Sequence, residues 1–179
     1  APAGGVAIAG SLLLGGGIVV ASIGINLLTG LSILLGGVTY VVVYTIWLKR
    51  RSSWNIVIGG FAGSAPVLAG SAAAAGHWTA GALALALLVF LWTPPHFWSL
   101  AVLLREDYAR ARLPMLPNME DLALSGKVIV VSAALLVPAG LLVGLTGTLT
   151  APALAALLVI GGVFVALTWP LWRTVTAAT

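Results

Sequence analysis

Long apolar stretches alternate with short polar segments along the whole chain. Residues 1–48, 52–104 and 128–172 contain no Lys, Arg, Asp or Glu. One membrane-spanning helix needs roughly 20 apolar residues, so each of these blocks is long enough for two spans. Their apolar residues are continuous rather than alternating, unlike the strands of a membrane β-barrel. The pattern predicts an all-α integral membrane protein with six transmembrane helices.

Turn-forming residues divide each apolar block into two spans. Asn26, Gly76 and Gly147 favour turns between helices, and Pro152 suits the first turn of the last helix. The chain is predicted to form one transmembrane domain, residues 1–179. Its six predicted spans are residues 5–25, 30–48, 54–75, 79–104, 127–146 and 152–172.

All charged residues fall on one face of this topology. The eight Lys and Arg residues lie in the loops 49–53 and 105–126, at Lys127 where the fifth span begins, and after residue 172, and the loop 105–126 holds the four acidic residues. Such a Lys/Arg asymmetry identifies that face as cytoplasmic, in a multi-pass protein of the cell membrane. The formal net charge of +4 therefore reflects topology rather than binding to nucleic acid. The sequence has no cysteine, which excludes thiol chemistry.

Three cations, residues 49–51, directly precede the third span. Ser52, Ser53 and Asn55 are candidate N-caps there. Free N–H groups and the helix dipole favour an anion at such a position. Anchoring among lipid headgroups would need the same cations, so both interpretations stay open.

The third span carries small residues and a proline. Gly59 and Gly63 form a GxxxG pattern, which allows close approach of another helix. Pro66 is predicted to interrupt the helix near the middle of the membrane, where a broken helix is tolerated if it lines a cavity. Packing alone and packing combined with cavity lining remain alternatives.

The fourth span contains Pro94 and Pro95, which are predicted to break it. If the second half-helix continued through Asp107, eleven residues would separate Asp107 from His96. At about 100° per residue, the two side chains would lie within about 20° of one face, together with Ser99. The alternative is a core histidine that donates to a carbonyl freed by the prolines. His77, on the opposite face, is interpreted as an interfacial residue.

The acidic residues all belong to the loop 105–126. Glu106, Asp107, Glu120 and Asp121 are either ordinary loop charges or include a ligand for a metal–diphosphate complex. Mg²⁺ prefers carboxylate and phosphate oxygens together with water, and the neighbouring cations would take the remaining phosphate charge.

Four blocks of sequence together resemble a known family. They read YTIWLKR, NIVIGGFAG, WTPPHFWSLA and DYARARLPMLP, at Tyr44–Arg50, Asn55–Gly63, Trp92–Ala101 and Asp107–Pro117. Their order and separation resemble the protoheme IX farnesyltransferases, the haem branch of the UbiA-like membrane prenyltransferases.

The resemblance implies a nine-helix bundle, of which this chain would be the central part, from the third helix to the eighth. It implies an active site on the cytoplasmic side and Mg²⁺-dependent transfer of a farnesyl group from farnesyl diphosphate to a vinyl group of haem b, giving haem O. Haem A synthase or oxidase-assembly proteins are candidate partners, besides the lipid bilayer.

The resemblance also assigns roles to single residues. Asp107 would bind the metal–diphosphate complex, and Lys49 and Arg50 would contact the diphosphate. His96 would contact haem or carry a proton, so His96 and Asp107 are the candidate catalytic residues. Asn55 would line the substrate cavity, and Tyr44 is a further candidate there. On physical grounds, Phe97, Trp98 and Tyr108 either stabilise a carbocation in that cavity through their π faces or face lipid instead.

The chain departs from the family in three places. Nothing in it resembles the family's first acidic motif, Asn-Asp-x-x-Asp-x-x-x-Asp. Arg112 stands where the family usually has Gly, and residues 118–121 depart from the usual continuation. Three functions therefore remain open: farnesyl transfer to haem, prenyl transfer to another acceptor, and haem binding by a membrane fragment without catalysis.

Overall fold

Six apolar helical stretches dominate the structure, a computed structural model that describes residues 3–176. Each is long and apolar enough to cross a membrane, which confirms the predicted all-α architecture with six spans. They are Gly4–Gly24, Leu27–Leu48, Asn55–Ala75, Ala80–Leu103, Leu122–Leu145 and Ala151–Trp172. The fifth begins five residues before the predicted position 127, because Lys127 lies within the helix rather than before it.

The described residues form nine α-helices and one π-helical segment, Thr39–Leu48, which continues α2. The α-helices are α1 (Ala3–Gly24), α2 (Leu27–Val38), α3 (Asn55–Ala75), α4 (Ala80–Leu103), α5 (Arg105–Arg110), α6 (Leu116–Met119), α7 (Leu122–Ala134), α8 (Leu136–Leu145) and α9 (Ala151–Thr176).

Polar residues fix the turns that the sequence predicts. Asn26 caps α2 by accepting the Thr29 backbone N–H at 2.8 Å, and its side-chain amide donates to the Ala72 carbonyl at 2.7 Å. Gly76 ends α3 with a φ of 75°, a conformation that glycine adopts without steric cost. The predicted caps of α3 are wrong, because Trp54 occupies that position without a side-chain cap bond.

The spans pack mainly on their neighbours in the chain. α1 contacts α2, α2 contacts α3, and α3 contacts α4. α4 then packs against α7 and α8, and both of these contact α9. One inter-helix bond joins the Ser64 hydroxyl of α3 to the Ala86 carbonyl of α4 at 2.8 Å.

A hydrophobic core lies where α3, α4 and α7 meet the loop that follows α5. Its buried members are Ile56, Trp98, Ala101, Met115 and Ile129. This core fixes the end of the bundle that carries the charged loops.

The prolines do not break the helices, so both predicted interruptions are wrong. α3 runs through Pro66, and α4 runs through Pro94 and Pro95. A proline removes one N–H donor, but a full break would leave further backbone groups unpaired in hydrocarbon. Keeping the remaining helical hydrogen bonds therefore costs less free energy than breaking the helix.

The predicted line from His96 to Asp107 is also wrong, because α4 does not continue that far. Leu104 ends the helix with φ and ψ of −100° and 24°, and α5 starts at Arg105. The helical phase is therefore lost between the two residues, and an angle counted across Leu104 has no meaning.

Arg112 adopts a left-handed backbone conformation, with a φ of 53°. A side chain at such a position costs about 1–2 kcal/mol relative to a right-handed conformation. We expect Arg112→Gly to raise the free energy of unfolding by up to about 1 kcal/mol, since glycine loses part of the gain through its greater freedom in the unfolded chain. Reversible unfolding in mixed detergent–lipid micelles measures this change.

Arg112→Ala serves as the control, because it removes the charge but keeps a Cβ atom at the positive φ. Equal stabilisation by Ala and Gly would show that the charge, rather than the backbone conformation, is responsible.

Candidate functional site

A large cavity opens among α1, α2, α3, α4 and the π-helical segment. Its volume is about 970 Å³, at the upper end of the range of about 300–1,000 Å³ that is typical of ligand sites. Most of its wall is apolar. It extends from Ser32 on α2 to Lys49, the first residue of the charged loop 49–53.

Small residues of α3 form one wall of this cavity and also bring its neighbours close. A Cβ added at Gly59 would lie 2.6 Å from Cδ2 of Tyr44, and one at Gly60 would lie 3.1 Å from Cβ of Thr93. Gly59, Gly60 and Gly63 all line the cavity. The GxxxG pattern therefore serves both close packing and cavity lining.

Pro66 leaves a backbone carbonyl without its helical partner in the same wall. Because proline has no N–H, the Ala62 carbonyl lacks its usual donor four residues later. Ala62 and Pro66 both line the cavity. This carbonyl is therefore a candidate hydrogen-bond acceptor at membrane depth.

Lys49 is the one charged residue among the described residues that line the cavity. Its Nζ lies 5.8 Å from the ring centroid of Tyr44, within the range of a cation–π contact. The Tyr40 and Tyr44 rings stack with centroids 5.9 Å apart. The cavity thus combines a long apolar body with a cation at its charged end, which suits an amphiphile with an anionic head group.

The structure brings three of the predicted site residues together in this cavity, namely Tyr44, Lys49 and Phe97. Arg50 is exposed and does not line it. The missed lining residues include Tyr40, Val89 and Thr93. The four-residue spacing of Tyr40 and Tyr44 was a signal for the first of these.

Asn55 and Trp98, predicted to line the cavity, are buried beside it instead. Asn55 is 0% exposed and donates to the Ser52 carbonyl at 2.6 Å, while its Oδ1 has no partner among the described residues. Trp98 is 4% exposed and belongs to the hydrophobic core, and its Nε1 also lacks a partner in the part of the chain that the structure describes. Tyr108 packs against the same core.

His96 does not line the cavity but contacts two residues that do. Its ring stacks on Trp92 with centroids 4.4 Å apart and meets the Phe97 ring edge-on at 5.5 Å. Trp92 and Phe97 line the cavity. Within residues 3–176, neither nitrogen of the His96 ring has a hydrogen bond, so the predicted bond to a freed carbonyl does not form there.

A second, smaller groove lies on the other side of Trp92. It has a volume of about 280 Å³, an apolar lining, and walls from α4, α8 and α9. Val89 and Trp92 contact both this groove and the main cavity. These two side chains therefore separate the two spaces.

The acidic residues lie on the surface of the loop region. Asp107 accepts a hydrogen bond from Arg110 at 2.7 Å, and the two side chains are 65% and 74% exposed. Asp121 caps α7 through the Ala123 backbone N–H at 3.2 Å. In the part of the chain that the structure describes, no group of three or more His, Asp or Glu side chains converges on a common point.

Comparison with known proteins gives one family and several relatives. The sequence profile described as "UbiA prenyltransferase family" matches residues 2–179. The chain is 56% identical to the protein named "Protoheme IX farnesyltransferase" of Sulfurisphaera tokodaii over 120 residues, 67% of this chain and 40% of that protein. It is 53% identical over 113 residues to the protein of the same name from Metallosphaera sedula, 63% of this chain and 40% of that protein.

A third relative, "Protoheme IX farnesyltransferase 2" of Paramagnetospirillum magneticum, is 47% identical over 125 residues, 70% of this chain and 43% of that protein. The chain thus spans less than half the length of these curated relatives. No solved structure matches it significantly.

Proposed function

Because the chain belongs to the UbiA prenyltransferase family, we propose that it takes part in transferring a farnesyl group from farnesyl diphosphate to a vinyl group of haem b. Three relatives at 47–56% identity carry the name protoheme IX farnesyltransferase, in agreement with the resemblance in the sequence. The observation that carries the proposal is the apolar cavity with Lys49 at its charged end.

The proposed reaction assigns distinct tasks to the two ends of the cavity. Lys49 holds the diphosphate, and the apolar wall of α3 and α4 holds the farnesyl chain away from water. Ionisation of the allylic diphosphate leaves a carbocation, which the faces of Tyr44 and Phe97 stabilise. The vinyl group of haem attacks this cation, and water then adds to the resulting cation on haem and releases a proton to the solvent, which leaves a hydroxyl group. Arg50, next to Lys49 in the sequence, is proposed to contact the outer part of the diphosphate.

Prenyltransferases of this family generally use divalent metal ions. We propose Mg²⁺ for this protein, since that ion binds through one or two carboxylates together with substrate phosphates. Asp107 fits this chemistry as one ligand, because its carboxylate is exposed and pairs with Arg110 at the surface. A bound metal ion would neutralise part of the charge on the departing diphosphate.

The membrane setting gives the proposed site its orientation. Several membrane-spanning helices make this a multi-pass membrane protein. We propose the cell membrane, with the loop 49–53 and therefore the mouth of the cavity on the cytoplasmic side. Farnesyl diphosphate would then reach Lys49 from the cytoplasm while its tail enters the apolar region.

The test supplies labelled farnesyl diphosphate and Mg²⁺ to the complete product of the gene, with haem b, a quinone precursor or chlorophyllide as acceptor. We expect label in haem b alone. Label in a different acceptor alone would reject the haem assignment. Haem binding without any transfer would instead support a non-catalytic haem-binding protein.

His96 is proposed as the contact to haem, because its ring nitrogens have no protein partner in the described residues. We expect a spectroscopic titration of the chain with haem to show binding that His96→Ala weakens about tenfold or more, as loss of a coordinating or hydrogen-bonding group requires. His77→Ala is the matched control, since the exposed His77 lies in the turn between α3 and α4. Equal binding by both variants would reject this role for His96.

A further inference from the structure

Residues Thr39–Leu48 form a π-helix of ten residues. Its hydrogen bonds join residues five apart, as shown by the Lys49 N–H, which donates to the Tyr44 carbonyl at 2.8 Å. π-helices usually occur as single turns within α-helices and are frequent at functional sites. A segment of this length therefore calls for a physical reason.

The reason lies in the angle between Tyr40 and Lys49. Nine residues separate them, and at the roughly 100° per residue of an α-helix they would point in opposite directions. In the structure both line the same cavity. A wider helix turns the chain less per residue, so the π-helical segment brings Lys49 back to the face of Tyr40 and Tyr44.

Trp47 shows what an α-helix would do instead. It lies seven residues after Tyr40, which in an α-helix is within about 20° of the same face. Trp47 would then face the cavity and Lys49 would not. In the structure Trp47 does not line the cavity, and its side chain is 55% exposed.

One of two contacts in this segment is specific to the π-helical conformation. The Thr45 hydroxyl donates to the Tyr40 carbonyl, five residues earlier, at 2.7 Å. In an α-helix a threonine hydroxyl bonds the carbonyl three or four residues earlier. The Tyr44 ring packs onto Gly59, where no Cβ atom stands in its way. The Thr45 hydroxyl thus stabilises the backbone of the segment, and Gly59 leaves room for the Tyr44 ring.

We infer that the π-helical segment Thr39–Leu48 points the Lys49 ammonium into the cavity, and that Thr45 is a positioning residue for this cation. The segment thereby determines that the cavity accepts an anionic head group above an apolar chain, rather than an apolar chain alone. The identity of that ligand as a prenyl diphosphate rests on the proposed function, whereas the orientation of Lys49 does not.

The first experiment measures orientation without any ligand. Since the sequence has no cysteine, a single cysteine at position 47 or 49 can be labelled selectively in lipid vesicles with a water-soluble sulfonate thiol reagent. The thiolate is the reactive form and is disfavoured in lipid, so we expect Lys49→Cys to react about tenfold faster than Trp47→Cys. Equal rates, or faster labelling at position 47, would overturn the inference.

The second experiment tests Thr45 by the same labelling. Thr45→Ser keeps the hydroxyl, and we expect it to preserve the difference in labelling rate between cysteines at positions 47 and 49. Thr45→Val keeps the shape but removes the donor, and we expect the difference to fall about threefold or more. An unchanged difference in Thr45→Val would show that Thr45 does not position Lys49.

The third experiment asks whether the orientation decides ligand choice. Binding of farnesyl diphosphate and of farnesol, which share a tail and differ in charge, is compared in nanodiscs. We expect Lys49→Gln to weaken binding of the diphosphate about tenfold, through loss of a charge-assisted contact, and to leave farnesol binding unchanged. Weakening both ligands equally would overturn the role in head-group choice.

The double variant Trp47→Lys with Lys49→Gln moves the cation to position 47. That position would face the cavity if the segment were an α-helix. We expect no recovery of diphosphate affinity, and full recovery would overturn the inference.

If the unchanged chain binds no farnesyl diphosphate, the proposed function and the choice of a diphosphate head group fail together. The labelling experiments still decide the orientation of Lys49.

Discussion

Gly63→Phe is expected to weaken binding of farnesyl diphosphate about 100-fold while the protein still folds. Gly63 lines the cavity, and a Cβ added there would lie 3.8 Å from Cγ1 of Val89, an ordinary contact distance. The backbone therefore accepts a side chain, and the phenyl ring extends into the space for the prenyl tail. Overpacking of this kind costs about 3 kcal/mol at the upper end, which corresponds to a loss of affinity of about 100-fold.

Gly70→Phe is the matched control on the same helix. A Cβ at Gly70 would meet no atom within 4 Å, and Gly70 does not line the cavity. The change in helix propensity is the same in both variants, so only the position of the ring differs. We expect Gly70→Phe to bind within about twofold of the unchanged chain, as surface substitutions usually do. Equal losses in the two variants would show that the prenyl tail binds elsewhere.

Asp107→Asn is expected to reduce turnover of the complete gene product by about 100- to 1,000-fold, the usual effect of removing one group that stabilises developing charge. Asparagine keeps the size of the side chain but is a weaker ligand for a hard cation than a carboxylate. Membrane insertion should be unaffected, because the side chain is 65% exposed and outside the core. Turnover with labelled farnesyl diphosphate and haem b measures the effect.

Arg110→Gln provides the opposite change at the same place. It removes the cation that pairs with Asp107 and leaves the carboxylate free for a metal ion. Because an exposed ion pair contributes only about 0–1 kcal/mol, little stability is lost. We expect this variant to reach half-maximal turnover at the same Mg²⁺ concentration as the unchanged protein, or at a lower one. Near-normal turnover in Asp107→Asn would place the metal site elsewhere.

Hydrophobicity and charge along the sequence were sufficient to predict the six spans. Those predictions succeed because long apolar runs leave a membrane protein few alternatives to helices. The turn at Asn26 also followed from residue type, since its side chain both caps α2 and bonds α3.

The local geometry of the candidate site could not be predicted in the same way. Proline propensity suggested a break at Pro94, but the membrane favours retention of the helix around it. The angle from His96 to Asp107 failed because a single residue, Leu104, ends α4. The inward orientation of Lys49 depends on a π-helix, and the 3.6-residue periodicity used to interpret helices does not describe one.

The packing of each span on its neighbours in the chain has a consequence for biosynthesis. During translation, α2 and α3 each find the preceding helix already in the bilayer, and α4 finds α3. α9 packs on both α7 and α8, so it too needs only spans made before it. Few long-range searches are then required, a topology associated with fast folding. The bundle can assemble in the order of synthesis, and the described walls of the cavity, from α1 to α4, are together once α4 has been inserted.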